Sequence, residues 1–595
     1  MKHVSSAPRA LPAFLFVVAL VTLAWTATGC DATADATTPI PAIQGAGHRS
    51  PLAGERVVTT GVVTRVLDDG FFLQDPEGDD DPRTSDAMRV FDDATRAEVG
   101  QRLRIEGTVA EWRPGGNETN LTVTILRDAR IGILDEDVEL PTPVVLGRDG
   151  RMPPTAVVDD DALEEYQPAR DGIDFYESLE AMRVRVDDAV AVSATSRYAE
   201  VWVLADGGAG ATGLNDRGGI TLTDGDVNPE RIQIQFPSRV VAPAVGMGDR
   251  LGTLVGPLDY AFGNYEVLVA RRPEVRRAET GPDVTSLGSS DDAITVGTFN
   301  VLNLGGDAEP EAFAVRARVI VERMGAPAIV ALQEIQDDDG AADSGDPSAD
   351  RTFERLIGAV VDADGPRYAY AQIDPVDGAD GGQPGGNIRV GFLYDEERVA
   401  LPRRGDAGPL DAVAVVDGPH LEPNPARVDP TADCFDDSRK PLAAEFVVDG
   451  VPLFVIDVHF SSKGGSTPLF GAVQPPVNGR EEARREQAGR VLALVEAIRA
   501  EDPRARIVVL GDFNEFAFEE PMRALVAGGA LENLMLELEP TARFTYVYQG
   551  NSQALDHVLV GTGGFRSTEL DVIHGNAGFR GGASDHDAIV VRLGL

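Results

Sequence analysis

The sequence predicts a multidomain protein in which two small β-barrels precede a larger α/β unit. The chain has 595 residues, which is more than a single hydrophobic core usually organises. Short runs of alternating apolar and polar residues fill the first half, and this period of two indicates antiparallel strands. In the second half, apolar strands alternate with helical stretches, and polar residues follow the strand ends.

The first 29 residues are predicted to be a lipoprotein signal peptide. Basic residues precede an apolar stretch at 11–25, and small residues ending in Cys30 follow it. This ending resembles a bacterial lipobox, so we expect lipid on Cys30, with ordinary signal-peptidase cleavage nearby as the alternative. The apolar stretch is shorter than the roughly 20 residues that span a bilayer. We therefore expect an exported chain that is secreted or lipid-anchored to the cell envelope, touching the membrane only through that anchor.

The composition constrains both charge and disulfide bonding. A formal net charge of −44 repels a polyanion, but salt at about 0.1 M shortens the range of that repulsion to roughly 10 Å. A groove lined with arginine and a divalent cation can therefore still accept phosphate. The cysteines are Cys30 and Cys434, so lipid on Cys30 excludes an intramolecular disulfide.

Periodicity and composition divide the chain into segments. After the signal peptide we expect a flexible tether at 30–52, a barrel at 53–138, a proline-containing linker at 139–170, a second β-rich, barrel-like unit at 171–280 and the α/β unit at 290–595. The first barrel has about five predicted strands, which is the size of a small closed barrel. Neither β-rich unit contains a cluster of catalytic residue types. The chemistry is therefore expected in the α/β unit.

Two buried strands of the α/β unit end in side chains that suit a hard cation. The strand at 294–299 leads into Asn300, and the strand at 329–333 leads into Glu334. Magnesium takes oxygen ligands, commonly one or two carboxylates together with water and substrate phosphate. The sequence therefore predicts a divalent-metal site with Glu334 as the primary ligand and Asn300 beside it. Mg²⁺ is expected, with Mn²⁺ or Ca²⁺ as alternatives.

The most specific motif is Gly511-Asp512-Phe513-Asn514, which follows a buried strand. Side chains two residues apart project the same way from an extended chain. Asp512 and Asn514 can therefore hold an attacking water and a phosphate oxygen together. His459 ends another apolar strand, and His586 precedes the last one. Hydrolysis of a phosphodiester needs more acceleration than one acid or base supplies, so a composite site is expected.

Taken together, these motifs resemble the endonuclease/exonuclease/phosphatase superfamily, which has the fold of deoxyribonuclease I. The resemblance runs in order through 290–595 and implies a four-layer α/β sandwich with metal-dependent phosphodiesterase activity. It also implies that Asp556 orients His586, that Asp585 lies by the metal and that His459 protonates the leaving oxygen. The expected site comprises the catalytic residues His459, Asp512, Asn514, Asp556 and His586, with Asn300, Glu334 and Asp585 at the metal.

The two β-rich units and a glycine-rich stretch at 381–391 resemble bacterial extracellular nucleases, whose N-terminal modules have the oligonucleotide-binding fold. This resemblance implies phosphate contacts at Asn387, Arg389 and Arg439, with a solvated loop as the alternative. It also implies DNA or RNA as the partner, and no obligate protein partner is evident. We expect three further arginines on a helix face: Arg480, Arg484 and Arg485.

Two other functions fit the sequence. The superfamily includes sphingomyelinases and inositol-phosphate phosphatases, so the motifs define the reaction and leave the substrate open. A phospholipid or sugar-phosphate phosphodiesterase is the first alternative. The second is a surface binding protein that holds Ca²⁺ or a polymer through its barrels and the acidic runs at 79–81 and 337–339. That second function does not account for the catalytic motifs.

Overall fold

The structure is a computed structural model that describes residues 37–92, 97–290 and 292–595. The predicted signal peptide and Cys30 lie outside the described residues. Within those ranges, no helix combines the length and the apolar character that crossing a membrane requires. The chain forms a β-barrel, a second β-sheet unit and a two-sheet α/β unit, in that order.

The first unit is a five-stranded barrel. Its strands are β1 (Arg56–Leu67), β2 (Gly70–Gln74), β3 (Ala87–Phe91), β4 (Arg102–Trp112) and β5 (Val123–Asp135). They pair in the closed order β1-β2-β3-β5-β4. Alternate residues such as Val63, Phe71 and Leu103 are fully buried in its core, as the period of two requires. The predicted small closed barrel is confirmed for this unit.

From residue 37 onward, the segment expected to be a flexible tether is folded. Helix α1 (Ile40–Gln44) buries Ile40 and Ile43 in the barrel core. Burying an isoleucine side chain stabilises a fold by about 1.5–3 kcal/mol. In addition, Gln44 Nε2 donates to Glu180 Oε1 of the second unit over 3.0 Å. Helix α1 has only five residues and is too short to show a helical periodicity, so the sequence pattern did not reveal it.

The second unit is built around one sheet. Its elements are β6 (Val144–Leu146), α2 (Gly172–Glu177), β7 (Arg183–Ala191), β8 (Glu200–Leu204), β9 (Ile220–Thr221), β10 (Ile232–Gln235), β11 (Arg250–Ala261) and β12 (Asn264–Leu268). The sheet order is β11-β12-β10-β8-β7-β6, and β11 also pairs with β7. Strand β6 lies in the segment expected to be a linker, but its parallel pairing with β7 makes it part of this sheet.

The third unit contains two six-stranded sheets and four α-helices. The helices are α3 (Pro310–Arg318), α4 (Asp350–Asp362), α5 (Glu481–Glu501) and α6 (Glu520–Ala527). The strands are β13 (Ala293–Leu304), β14 (Ile329–Ile335), β15 (Ala369–Ala371), β16 (Arg389–Tyr394), β17 (Ala414–Val416), β18 (His420–Glu422), β19 (Ala426–Arg427), β20 (Leu442–Val448), β21 (Val451–His459), β22 (Arg506–Asp512), β23 (Leu531–Asn533), β24 (Tyr546–Tyr548), β25 (Asn551–Gln553), β26 (Asp556–Gly561), β27 (Ser567–Ile573) and β28 (Ala588–Gly594).

These elements stack in four layers. One sheet has the order β15-β16-β14-β13-β28-β27, and the other has the order β19-β20-β21-β22-β26-β23. Ile329 and Val455 pack between the two sheets. Phe353 of α4 packs against the first sheet and Val495 of α5 against the second. Because the central strands are covered on both faces, they appear in the sequence as continuous apolar runs. The predicted four-layer architecture is confirmed.

The second unit docks onto the third through a shared sheet. Strand β9 pairs in parallel with β25 and so extends the β24–β25 hairpin. Asn228 Nδ2 donates to Asn551 Oδ1 over 2.8 Å, and Arg231 Nε donates to the carbonyl of Gln549 over 2.9 Å. The Asn228, Arg231 and Asn551 side chains are buried. Contacts with the second unit, as well as contacts within the third unit, therefore hold the β24–β25 hairpin in place.

Candidate active site

The predicted catalytic residues converge where the central strands of the two sheets end. His459 is in register with Asp512 across β21 and β22, and Asp512 is in register with Asp556 across β22 and β26. From the facing sheet, Asn300 Nδ2 lies 3.1 Å from Glu334 Oε1 and 3.2 Å from Asp512 Oδ2. Residues far apart in the sequence thus form one polar cluster at the end of the sandwich.

Positive φ angles mark the backbone around this cluster. Gly511 has φ 131°, and a Cβ there would lie 2.1 Å from the carbonyl oxygen of Val458. Glu334 has φ 64° and Asn514 has φ 52°. Non-glycine residues rarely adopt such angles, and they persist where surrounding contacts enforce them, commonly at functional sites. For Asn514 the contacts include a hydrogen bond from its own backbone NH to Asp512 Oδ1 at 2.8 Å.

His586 is held by a carboxylate. Its Nδ1 lies 2.7 Å from Asp556 Oδ2, and Thr545 Oγ1 donates to the same oxygen over 2.6 Å. Burial alone disfavours the imidazolium, but the nearby Asp556 and Asp512 carboxylates outweigh it and hold the pKa of His586 well above its ordinary value. His586 is therefore a cation at neutral pH, with Nε2 3.9 Å from Asp512 Oδ2.

His459 has the opposite electrostatic character. Burial, reinforced by the positive charges of Arg439 and His586, holds the pKa of His459 well below its ordinary value. Its Nε2 lies 3.5 Å from Asp512 Oδ2. Its Nδ1 is buried and has no hydrogen-bond partner among the described residues. A neutral imidazole is a poor proton donor. This state opposes the expectation that His459 protonates the leaving oxygen.

Asp512 is at the centre of the cluster and titrates near neutrality. Burial raises its pKa to about 7, and Asp556 and Glu334 add to the increase while His586 opposes it. Beside it, Asn514 Nδ2 lies 3.1 Å from the carbonyl of Phe460 and 3.3 Å from Asp512 Oδ2. The predicted pairing of Asp512 with Asn514 is therefore present as a contact.

The cluster fits a divalent metal. Glu334, His459 and Asp512 each present one ligand atom, and the three atoms lie within 4.8 Å of one another. The Glu334 carboxylate is oriented by Asn300 and by the backbone NH of Asn303, which donates to Oε2 over 2.9 Å. Two carboxylates at such short range match the oxygen ligands that Mg²⁺ prefers. Glu334 and Asp512 are the residues that would hold the ion.

The other two predicted metal ligands are placed differently. Asn300 Oδ1 accepts from the backbone NH of Leu302 over 3.1 Å, while Nδ2 joins the two carboxylates. Asn300 is therefore positioned to hold Glu334 and Asp512 together. Asp585 lies on the wall of the same cavity and is exposed. Among the described residues it is not in the group of ligand atoms around Glu334.

The cluster opens into a cavity of about 860 Å³. Arg439 was predicted here; it is 5% exposed and donates to the carbonyl of Phe460 over 2.6 Å. Lys463 and Arg480 also line the cavity but were not predicted. Neither belongs to a motif, since Lys463 follows the His459 strand and Arg480 precedes α5 in a left-handed conformation with φ 55°. The lining also includes aromatic side chains: Phe516, Tyr546 and Tyr548.

Two predicted phosphate ligands are not brought into this cavity. Arg389 is 1% exposed, and its Nη1 lies 2.6 Å from Asp374 Oδ1. Asn387 Nδ2 donates to Asp337 Oδ2 over 2.9 Å. Both side chains therefore satisfy partners inside the domain, as buried polar groups must. A sequence motif does not distinguish an arginine that faces a ligand from one that supports a loop.

The three arginines expected on a helix face lie in different environments. Arg485 is exposed on α5. Arg484 is 0% exposed, and its Nε donates to Glu515 Oε2 over 2.8 Å. Arg480 lines the cavity. The expectation is thus met for Arg485 and corrected for the other two, because α5 packs Arg484 against the loop that follows Asn514.

Comparison with family models agrees with this fold for the catalytic unit. Residues 297–586 match the family described as Endonuclease/Exonuclease/phosphatase family, and residues 145–278 match a family described as Domain of unknown function (DUF8508). No curated relative matches the chain. Structural likenesses include truncated Caenorhabditis elegans TDP2, at 14% identity and TM-score 0.33 over 51% of this chain and 98% of that chain. The human Nocturnin catalytic domain is 15% identical, with TM-score 0.33 over 52% and 97%.

A Bacteroides thetaiotaomicron mannosyl-6-phosphatase is 15% identical, with TM-score 0.31 over 51% of this chain and 100% of that chain. The four-layer fold and its cluster of carboxylates and histidines define a metal-dependent hydrolase of phosphoester bonds. Residues 297–586 are a domain of the endonuclease/exonuclease/phosphatase family, as the sequence motifs predicted. Enzymes of this family use divalent metals, commonly Mg²⁺.

Proposed function

We propose that the chain is a Mg²⁺-dependent nuclease that hydrolyses phosphodiester bonds in DNA or RNA. The observation that carries this proposal is the make-up of the cavity wall. In a chain of net charge −44, Arg439, Lys463 and Arg480 face the same cavity as Tyr546 and Tyr548. Cations that accept backbone phosphate, combined with aromatic faces on which bases stack, suit a nucleic-acid strand. The first unit is a closed barrel, and we propose that this barrel is a further nucleic-acid-binding module of the oligonucleotide-binding type.

The chain's own residues supply a route for hydrolysis. Ionised Asp512 accepts a proton from water as the water oxygen bonds to phosphorus. The His586 imidazolium, held by Asp556, faces the phosphoryl oxygens and offsets their growing negative charge. The leaving oxygen departs with the electron pair of the broken P–O bond. A divalent cation at Glu334 and Asp512 supplies further charge neutralisation when bound.

A panel of substrates tests this proposal against the phospholipid and sugar-phosphate alternatives. The purified chain would be incubated with plasmid, single-stranded DNA, RNA, sphingomyelin and a sugar phosphate, each with Mg²⁺, Mn²⁺, Ca²⁺ or EDTA. We expect cleavage of nucleic acid with Mg²⁺ and none with EDTA, and loss of that cleavage in His586→Ala. Hydrolysis of lipid or sugar phosphate alone would overturn the nuclease assignment. No hydrolysis of any substrate would favour a binding protein.

A second experiment separates recognition of bases from the chemical step. Tyr548 is 54% exposed and lines the cavity. Stacking on an aromatic side chain is worth about 1–3 kcal/mol per base, so Tyr548→Ala should raise KM for single-stranded DNA by roughly tenfold or more. Turnover of bis(p-nitrophenyl) phosphate, which has no base, should change little. The control is Phe262→Ala, which removes an aromatic side chain that is 84% exposed and outside the cavity lining.

We propose further that the enzyme is exported and anchored through lipid on Cys30. The support is the pattern of basic, apolar and small residues that ends at Cys30. Cells producing the full chain would be fractionated, and the membrane fraction tested for the protein. Cys30→Ala should move the protein out of that fraction. If the variant stays with the membrane, anchoring by lipid on Cys30 is contradicted.

A further inference from the structure

A second acidic cluster lies far in sequence from the active site, in the loop that leads into α2. Asp160, Asp161 and Asp171 each offer one carboxylate oxygen, and these atoms lie within 4.8 Å of one another. Asp171 is 0% exposed, and neither of its carboxylate oxygens has a hydrogen-bond partner within the described part of the chain. Burial of an unpaired carboxylate is costly, because nothing replaces the water it loses. This cost needs a physical explanation.

Neighbouring charges increase that cost. Burial and the surrounding aspartates raise the pKa of Asp171 to about 6. The neighbouring basic groups pair with other carboxylates: Arg170 of the loop forms an ion pair with Asp160, and Nε2 of His48, which follows α1, lies 2.9 Å from Asp174 Oδ1. Asp171 is thus directed into a negatively charged cluster, with no side-chain cation recorded against it among the described residues.

We propose that Asp160, Asp161 and Asp171 form a calcium site that is separate from the catalytic centre. Ca²⁺–oxygen distances of about 2.3–2.6 Å allow two ligand atoms to lie up to roughly 5 Å apart. The three carboxylate oxygens lie within 4.8 Å of one another, so one Ca²⁺ ion can contact all of them. All three side chains offer oxygen, which suits calcium and does not suit zinc.

The loop prepares the site and links it to the neighbouring units. Asp161 accepts the backbone NH groups of Glu164 and Glu165 over 2.9 and 3.1 Å, so its carboxylate is already oriented. Next to Asp171, Gly172 packs closely enough that a Cβ would lie 3.5 Å from Phe470 of the catalytic unit. A cation there would remove the repulsion between the aspartates and stabilise the junction between the second unit and the catalytic unit.

Calcium-dependent unfolding of the full chain tests the proposal. The parent protein would be Glu334→Gln in excess Mg²⁺, so that the catalytic centre does not contribute to the calcium response. At a calcium concentration about ten times Kd, the melting temperature should rise by roughly 2–4 °C. Adding Asp171→Asn should raise the melting temperature without calcium, because it removes a buried charge, and should abolish the calcium-dependent increase.

The matched control is Asp128→Asn, at an exposed position with φ 55° that asparagine tolerates. It should keep the full calcium response. Equilibrium dialysis with radioactive calcium should show one ion fewer per chain for Asp171→Asn than for its parent. If Asp171→Asn does not fold, the exposed Asp160 supplies a second variant, Asp160→Asn, which should weaken calcium binding severalfold. An equal calcium response in parent and both aspartate variants, or no response in the parent, would overturn the site.

Discussion

His586 Nδ1 lies 2.7 Å from Asp556 Oδ2, and both side chains are buried. The contact fixes the orientation of the imidazole so that Nε2 faces Asp512, 3.9 Å away. It also stabilises the positive charge on the ring, because a carboxylate in a buried setting interacts strongly with an imidazolium. One hydrogen bond therefore determines both where His586 points and which protonation state it has.

Replacing that carboxylate should impair catalysis through the histidine. Asp556→Asn keeps the shape of the side chain but removes the charge that raises the pKa of His586. We expect kcat to fall by about 10²–10⁴-fold and the basic limb of the pH–rate profile to move to lower pH. Thr545→Val, which removes only the hydroxyl that donates to Asp556, should have a smaller effect. An unchanged pH profile in Asp556→Asn would contradict the proposed coupling.

Asp512 should make stability depend on pH in the absence of metal. Its pKa is about 7 in the folded chain and about 3.9 in an unfolded one. Between these values the folded state holds a proton that the unfolded state releases, so stability falls as pH rises from about 4 to about 7. Asp512→Asn removes this loss and should melt several degrees higher than wild type at pH 8 in EDTA, while being inactive. Equal melting temperatures at pH 8 would refute the assigned burial cost.

Substitutions of Glu334 and Asp585 should differ in their effect on metal-dependent activity. Glu334→Gln should lower kcat/KM by about 10³-fold, as the loss of a major electrostatic contributor does, and should raise the Mg²⁺ concentration needed for half-maximal activity. Asp585→Asn changes an exposed side chain outside the Glu334 group. It should reduce activity by less than about tenfold. Magnesium titrations of both variants measure this difference, and a larger effect at Asp585 would reverse the assignment.

Of two buried arginines, one should contribute mainly to stability and the other mainly to activity. Arg389→Met breaks an ion pair with Asp374 and several hydrogen bonds, so it should cost about 3 kcal/mol of unfolding free energy. Arg439→Met instead removes a cation from the cavity wall, and should lower kcat/KM by about 10²–10³-fold. Urea unfolding and steady-state kinetics on both variants distinguish these effects. If Arg389→Met is as stable as wild type but inactive, Arg389 binds substrate.

The sequence by itself determined the fold of the catalytic domain and most of its polar cluster. Strands buried on both faces stand out as apolar runs, and the residue at a strand end is set by local sequence. For that reason Glu334, Asp512 and His586 could be named before their neighbours were known. The family resemblance, the four-layer fold and the hydrolase class were confirmed.

Tertiary structure decided the charges and the cavity wall. The low pKa of His459 depends on burial and on the charges of Arg439 and His586, which come from distant loops of the chain. Lys463 and Arg480 line the cavity while Arg389 does not, and no local pattern separates them, because each is an arginine or lysine beside a loop. Only the folded chain brings β9 to the β24–β25 hairpin. Local sequence sets the direction of a strand, but burial and charge at a site depend on segments hundreds of residues apart.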